Sequence, residues 1–331
     1  MRILVIGGGV IGLTTAARIL ETGDSVTVVA REITPETTSD VAAAFWSPGA
    51  LLGGPASRAW ALDSFRAFEG LTSIPEAGIA IVDQHALSDE AFVAPDFGPE
   101  VPVRDLPPGR FDPRWHGFTI TAPRIDVPVY MPWLLAHVRS LGGDVRSGEA
   151  VSSLEDASAG YDAVVNCTGL GAAALAGDQG MTPIRGQVVL VRRPAGLPDD
   201  VVHAETSEGT TVGGTTYIVP RSGDVLLGGV YEYGETSLDP VQATAQAIID
   251  RCAAFYPELR AAEVLRHRVG LRPGRQTVRL QKGQLASGTP VVHNYGHGSI
   301  GHTLSWGCAG EVRRLLTASL NSAGFGCGTG G

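Results

Sequence analysis

The 331-residue sequence is short of charge, of cysteine and of unbroken apolar runs, and each shortage closes off a class of protein. Charged residues make up 18%, with 25 Lys and Arg against 34 Asp and Glu, and no basic block occurs along the chain. At a net charge of -9 nothing stands ready to neutralise a run of phosphates, so a nucleic-acid partner is not expected. The four cysteines, Cys167, Cys252, Cys308 and Cys327, lie far apart with no C-x-x-C pair. That spacing argues against zinc or thioredoxin-like chemistry, and the thiols read as small buried hydrophobes, with a pairing of Cys252 left open. The apolar opening segment is interrupted by glycines and has neither a basic leader nor a cleavage site. Neither a signal peptide nor a membrane span is expected, and the expected location is the cytoplasm. Also missing is any obvious constellation of Lys, His or carboxylate residues, so no metal site is expected.

Hydrophobic residues make up 44%, an ordinary globular share, and the length suggests about two domains. The first twenty residues, MRILVIGGGVIGLTTAARIL, organise the rest. Met1 to Ile6 reads as a buried parallel strand, and Gly7-x-Gly9-x-x-Gly12 follows it into a helix over Val10 to about Leu20. Gly7 permits the tight turn, Gly9 the approach of backbone to a pyrophosphate, and Gly12 the close packing of helix on strand. The helix then aims free N–H groups and its positive dipole end at the phosphates. This fingerprint does not distinguish NAD from FAD.

Ser25 to Ala30 reads as a second strand closed by Arg31 and Glu32. Glu32 lies about twenty residues past Gly12, where an acidic side chain commonly binds a ribose, although an exposed strand end also carries such charges. Thr37-Thr38-Ser39-Asp40 and the small residues after it suit a chain lying against a cofactor, and equally suit a helix N-cap. Prolines recur from Leu51 to Pro123 around a short helical piece near Ala59 to Phe68, which predicts short strands and loops. Pro132 suits the first turn of the next helix. DAVVNC (162–167) adds a strand to the nucleotide sheet, with Thr168 at its ligand-collecting carboxyl end. Gln187 to Arg192, Thr215 to Val219 and Val225 to Val230 read as strands, the last two forming a hairpin through PRSGD, and hence as an antiparallel sheet. A helix is expected from about Pro240 to Phe255. Near the end, VVHNYGHGSIGHTLSWGCAGEVRRLLTASL repeats the strand, glycine loop, helix logic of the opening, and the tail GFGCGTGG reads as disordered.

The segments VIGGGVIGLTTA, TTSDVAAAFWSP, VVNCTG, YIVPRSGDVLLGG, VGLRPGR and HNYGHGSIGHTLSWGCA occur in that order. Together they resemble the D-amino-acid oxidase family, up to about Leu320. The resemblance implies a Rossmann-like α/β FAD-binding domain built from residues 1–50, 124–185 and 280–320. It also implies an antiparallel, α+β substrate domain from 51–123 and 186–279, with 321–331 a flexible tail. The implied reaction oxidises a D-amino acid to its imino acid by hydride transfer from Cα to flavin N5, and oxygen then takes the electrons as hydrogen peroxide. Hydrolysis of the imine yields a 2-oxo acid and ammonia. The implied partners are a small D-amino acid and oxygen, with a homodimer as an option.

The resemblance assigns FAD to Gly7, Gly9, Val10, Ile11, Gly12, Arg31, Glu32, Thr37, Thr38, Ser39, Ala43, Ala44 and Phe45. Farther along it adds Val151, Thr168, Gly298, Ser299, Gly301, His302 and Thr303. Arg272 in GLRPG is implied as the fork that binds the substrate carboxylate, which on charge alone Arg266, Arg268, Arg275 and Arg279 could equally be. Arg279 falls where the family has an arginine near the flavin, a position that a salt-bridge partner would also fill. Tyr217 matches the tyrosine that bonds the same carboxylate. Tyr231 is favoured over Tyr233 as the second hydroxyl, and the Ser299 carbonyl as the acceptor for the substrate amine. His297 and His302 read as polar fillers of the loop. Gly213 stands where vertebrate members have a tyrosine, and with the run Gly209 to Gly214 it predicts a roomy entrance for neutral, apolar D-amino acids. Acidic D-amino acids and glycine remain alternative substrates within the family, and an NAD-dependent dehydrogenase or a non-catalytic flavoprotein outside it.

Overall fold

The computed structural model describes residues 1–206 and 214–323. Its first strands are β1 (Arg2–Ile6), β2 (Ser25–Ala30), β3 (Ile79–Ser88), β4 (Arg104–Asp105), β5 (His116–Ile125), β6 (Asp144–Ser147) and β7 (Ala163–Asn166). After them come β8 (Thr182–Val191), β9 (Val201–Glu205), β10 (Gly214–Pro220), β11 (Val225–Val230), β12 (Glu232–Tyr233), β13 (Val264–Gly274), β14 (Arg279–Gln284) and β15 (Pro290–Tyr295). They form two sheets.

The six-stranded sheet has the order β14-β15-β7-β1-β2-β6 and is parallel except for β14. A strand at the centre of such a sheet must be apolar on both faces. RILVI meets that demand: Ile3 and Val5 join one buried cluster, and Leu4 and Ile6 join another on the opposite face. Each side chain so buried contributes roughly 1.5–3 kcal/mol.

Helices α1 (Val10–Leu20), α2 (Pro55–Leu71) and α3 (Val127–Ser140), with the helix Gly301–Ala323, contribute to the first of these clusters. Helix α2 is longer than the short piece expected near Ala59 to Phe68, and it lies directly against Gly301–Ala323. A Cβ on Gly307 would meet the Trp60 carbonyl oxygen at 2.1 Å, so these helices touch through a glycine. Helix α3 corrects the reading of Pro132, which stands inside the helix. Pro128 takes the first turn instead, because the carbonyl of Asp126 already accepts the Val129 and Tyr130 N–H groups and starts the helix there.

The nine-stranded sheet runs β12-β8-β11-β10-β9-β3-β5-β4, with β13 antiparallel along β8. The expected β10–β11 hairpin is present, closed by paired bonds from the Arg221 guanidinium to the Asp224 carboxylate at 2.7 and 2.8 Å. The helix Gln242–Ala253 covers one face of this sheet through Ala245, Ile248, Ile249 and Cys252. Cys167, Cys252 and Cys308 are buried free thiols, as expected; Cys327 and the tail GFGCGTGG lie outside the described residues. No described helix is long and apolar enough to cross a membrane.

Candidate active site

A cavity of about 1490 Å³ opens between the two sheets. At one end β1 turns into α1. Gly7 has φ +122°, and any Cβ there would lie 2.4 Å from the Cys167 carbonyl oxygen. A Cβ on Gly9 would lie 2.9 Å from Ser39 Oγ, the atom that accepts the Val10 N–H at 3.0 Å. The glycines therefore let Cys167 and Ser39 close onto the start of α1, which lines the cavity with the positive end of the helix behind it. Every residue expected to touch FAD lines this cavity except Gly12. Gly12 lies behind it: a Cβ there would sit 1.9 Å from the Gly7 carbonyl oxygen, so this glycine serves the contact of helix with turn.

Thr37 to Ser39 enter the cavity on a turn fixed from below by Asp40, whose carboxylate accepts the Thr37 N–H at 3.0 Å and the Thr34 hydroxyl at 2.6 Å. Across the cavity the segment Gly298 to Thr303 leads into the helix Gly301–Ala323, a second helix start facing the same space. His302 Nε2 lies 3.1 Å from the Ser39 carbonyl; a carbonyl only accepts, so Nε2 carries the proton and Nδ1 does not. That Nδ1, His297 Nε2 and Asn294 Oδ1 are buried without partners among the described residues, and all three side chains line the cavity. Burial pushes the His297 pKa down to about 3 and lowers that of His302, so both rings are neutral. Orphaned polar atoms, a glycine turn and two helix starts suit a long polar anion with a flat ring, and FAD fits this donor set.

The other end of the cavity is a floor of strands. β13 places Arg272 beside β8, and its guanidinium lies flat over Gly186, where a Cβ would be 2.4 Å from Nη1. Nη1 donates to the Val230 carbonyl at 2.9 Å, and the guanidinium carbon stands 4.2 Å from the centre of the Tyr231 ring. Tyr217 lies in a second hollow, over Gly228 and Gly229, where an added Cβ would come within 2.0 and 2.3 Å of it. Burial pushes the Tyr217 pKa up to about 12, although Arg272 nearby opposes this, so the phenol remains a hydrogen-bond donor. Arg272, Tyr217, Tyr231 and Ser299 all face the one cavity. Tyr233 also lines it but is 73% exposed and carries no such contact with Arg272.

Three of the four rival arginines have other partners, and the fourth, Arg266, lines the cavity. Arg268 donates to the Asp40 carbonyl at 2.7 Å; Arg275 and Arg279 both bond Asp178, with Arg279 also on the Tyr295 hydroxyl. Arg279 is not among the cavity-lining residues, so it is an ion-pair partner here. Gly186, His203, Glu205 and Asn294 line the cavity without having been singled out from the sequence. A glycine inside a β-run, as at Gly186 or Gly228-Gly229, signals close approach by another group and could have marked the floor. Gly213 and most of the run Gly209 to Gly214 lie outside the described residues.

A strand–glycine–helix cradle and an arginine–tyrosine floor that share one cavity define a dinucleotide-dependent oxidoreductase. The FAD dependent oxidoreductase (DAO) family model matches residues 2–315, and the chain belongs to that family. It is an FAD-dependent enzyme. The D-amino-acid oxidase of Rubrobacter xylanophilus is 43% identical over 327 residues, covering 97% of each chain. The D-aspartate oxidase of Homo sapiens is 35% identical over 339 residues, 97% of this chain and 96% of that one. The crystal structure of glycine oxidase from Geobacillus kaustophilus shares the fold, with a TM-score of 0.77 at 20% identity over 96% of this chain and 95% of that one.

Proposed function

We propose that the protein oxidises D-amino acids to imino acids, which hydrolyse to 2-oxo acids and ammonia, and that oxygen is reduced to hydrogen peroxide. The observation that carries this reading is the Arg272 guanidinium, laid over Gly186 and beside Tyr217 and Tyr231 in the cavity that the nucleotide cradle shares. A planar fork matches a carboxylate through two parallel hydrogen bonds, and Tyr217, held protonated, adds a donor. Tyr231 stacks on the fork and limits its movement. The Ser299 carbonyl accepts from the substrate amine.

FAD would be held at its pyrophosphate by the Ile11 N–H and by the Ser39 hydroxyl seated on the Val10 N–H, at a ribose by Glu32, and along its ring by Gly298 to Thr303. When bound, FAD would supply a two-electron acceptor for the oxidation of the substrate, with oxygen as the final acceptor. The protein supplies orientation. His297, its pKa pushed down to about 3, is a weak base, and removal of the Cα hydrogen as hydride requires no side chain to take a proton from Cα. Clamping the carboxylate and the amine would fix which of the remaining Cα substituents points toward Gly298 to Thr303, and so select one enantiomer. Phe45 and Val188 form an apolar wall around Tyr217 that accommodates neutral side chains.

The test is peroxide release from a panel of D-amino acids by the wild type and by Arg272→Ala. Loss of the fork should lower kcat/KM by roughly 100-fold or more while visible flavin absorbance is retained. Full activity of the variant, or flavin-loaded wild type that yields no peroxide with any D-amino acid, would overturn the reading.

A further inference from the structure

Beyond Tyr217 the cavity wall turns polar. The antiparallel register sets His203 of β9 directly opposite Tyr217 of β10. Directly opposed residues share a face, with Cβ atoms roughly 5 Å apart, so the imidazole stands next to the tyrosine that faces Arg272. Glu205, two residues along the same strand, follows it on that face. His203 Nε2 lies 3.9 Å from Glu205 Oε1, and the Phe45 ring centre is 6.0 Å from that of the imidazole. Thr215, two residues before Tyr217, has a buried Oγ1 without a partner among the described residues. All of these side chains line the cavity.

We propose that Phe45, His203 and Glu205 form the subsite for the substrate side chain. Glu205 then makes it selective for long, unbranched D-amino acids that end in a cation or an N–H donor, against those that end in a carboxylate. This rests on the reading of Arg272 and Tyr217 as the carboxylate clamp.

Two residues along a strand span roughly 7 Å, about the reach of an extended lysine side chain, so a stem laid over Phe45 and His203 brings its end toward the Glu205 carboxylate, with glutamine about one bond shorter. Burial lowers the pKa of His203 against the opposing pull of Glu205, so the histidine contributes no charge to offset the carboxylate. The cationic wall is remote. Arg266 and Arg268 sit on β13, separated from β9 by β8, β11 and β10. Four strand spacings set the two backbones roughly 19 Å apart. Arg268 is moreover tied to the Asp40 carbonyl. Arg124, bridged to Phe45 through the backbone, is spent on Asp199 at 2.7 Å, so the formal charge that lines the cavity on the strand of His203 is the negative one of Glu205.

The experiment measures kcat/KM by peroxide release for two matched pairs, D-lysine with D-norleucine and D-glutamine with D-glutamate, in wild type and Glu205→Gln. Glutamine and glutamate match in length and shape and differ in charge, and norleucine is lysine without its terminal ammonium. The Glu205 side chain is 58% exposed and glutamine is nearly isosteric, so the variant should fold. The ratios of lysine to norleucine and of glutamine to glutamate should both favour the first member in wild type. Each should fall by roughly fivefold in the variant, the upper range for a solvent-exposed ion pair. An unchanged value for either ratio, with norleucine and glutamine still oxidised, would overturn the subsite alone. Absence of peroxide from all four compounds and from the wider panel would overturn the clamp, and the subsite with it.

Discussion

Replacing Gly186 with alanine should disable substrate binding while leaving the fold intact. Gly186 lies within β8 and its φ is not positive, so an alanine backbone fits without strain. In a strand interior the exchange even favours folding by roughly 0.5–1 kcal/mol. The new Cβ, however, would lie 2.4 Å from Arg272 Nη1 and 2.5 Å from both Cζ and Nη2. Non-bonded carbon atoms rest about 3.5–4.0 Å apart, so the guanidinium must retreat by about 1 Å or more. It is the far end of a flexible side chain and can do so, but only by giving up its bond to the Val230 carbonyl and its seat on the Tyr231 ring. A misplacement of about 1 Å in a positioning group costs roughly 100-fold in rate, and kcat/KM should fall by that factor.

Three measurements separate this effect from a folding defect: kcat/KM from peroxide release, the thermal midpoint, and visible absorbance of the bound flavin. The expected outcome is the activity loss with flavin retained and a midpoint within about 3 °C of wild type. Gly228→Ala is the contrast, since its Cβ would reach 2.0 Å from a Tyr217 ring that is packed among Val188, Val219 and Leu226 and cannot swing away. That variant should lose stability as well as activity. Retention of kcat/KM within about threefold of wild type in Gly186→Ala would refute the placement of the carboxylate on Arg272.

Two further outcomes follow from the cofactor end. In Gly9→Ala the added Cβ would press on Ser39 Oγ at 2.9 Å and disturb its bond with the Val10 N–H; fluorescence titration should show the Kd for FAD raised roughly tenfold, about 1.4 kcal/mol. Burial holds the folded-state pKa of His297 at about 3, below the unfolded value of about 6.5. The unfolded chain then takes up a proton that the folded chain refuses, so this contribution to stability is complete above about pH 6.5 and drains away as pH falls toward 3. The thermal midpoint of His297→Asn should therefore fall less steeply than that of wild type between pH 7 and 4, roughly the span of those two pKa values. Parallel curves would show that His297 takes up its proton in the folded protein.

The parts of the molecule legible from the sequence are those in which neighbours in the chain are neighbours in space. β1, the glycine turn and α1 form one continuous segment, and a strand that is apolar on both faces announces its own burial. Arg272 is a different case. Arg266, Arg268 and Arg272 fall at even spacing on one strand, so charge and periodicity treat them alike. What distinguishes Arg272 is that Gly186 lies under it and Tyr231 beside it, contacts that depend on the β8–β13 register and on the chain returning after β11. His203 and Glu205 escaped notice for the same reason, because the short run VVHAE says nothing about which strand will lie across from it. Pro132 was misplaced because two prolines four residues apart both fit a helix start, and the cap at Asp126 decided between them.

The dependence of the site on register raises the question of what holds one sheet against the other, since the cradle belongs to the first and the clamp to the second. The segment from Thr34 to Ser47 crosses between them and is tied on both sides. Toward the cradle, Ser39 Oγ accepts from Val10, the Ser39 carbonyl meets His302, and the Ser47 N–H reaches the Thr303 hydroxyl at 3.1 Å. Toward the substrate sheet, Ala44 exchanges backbone bonds with Ile125, the Trp46 N–H bonds the Pro123 carbonyl at 2.8 Å, and Arg268 of β13 grips the Asp40 carbonyl. Asp40 itself is 4% exposed and spends both carboxylate oxygens on Thr34 and Thr37. Sliding one sheet over the other would break several of these bonds at once, the side-chain ones partly buried and each worth roughly 1 kcal/mol net. The distance from the glycine turn before α1 to Arg272 is thus set by a strap of about fourteen residues that belongs to neither sheet, and the proposed reaction, which would tolerate little error in that distance, rests on it.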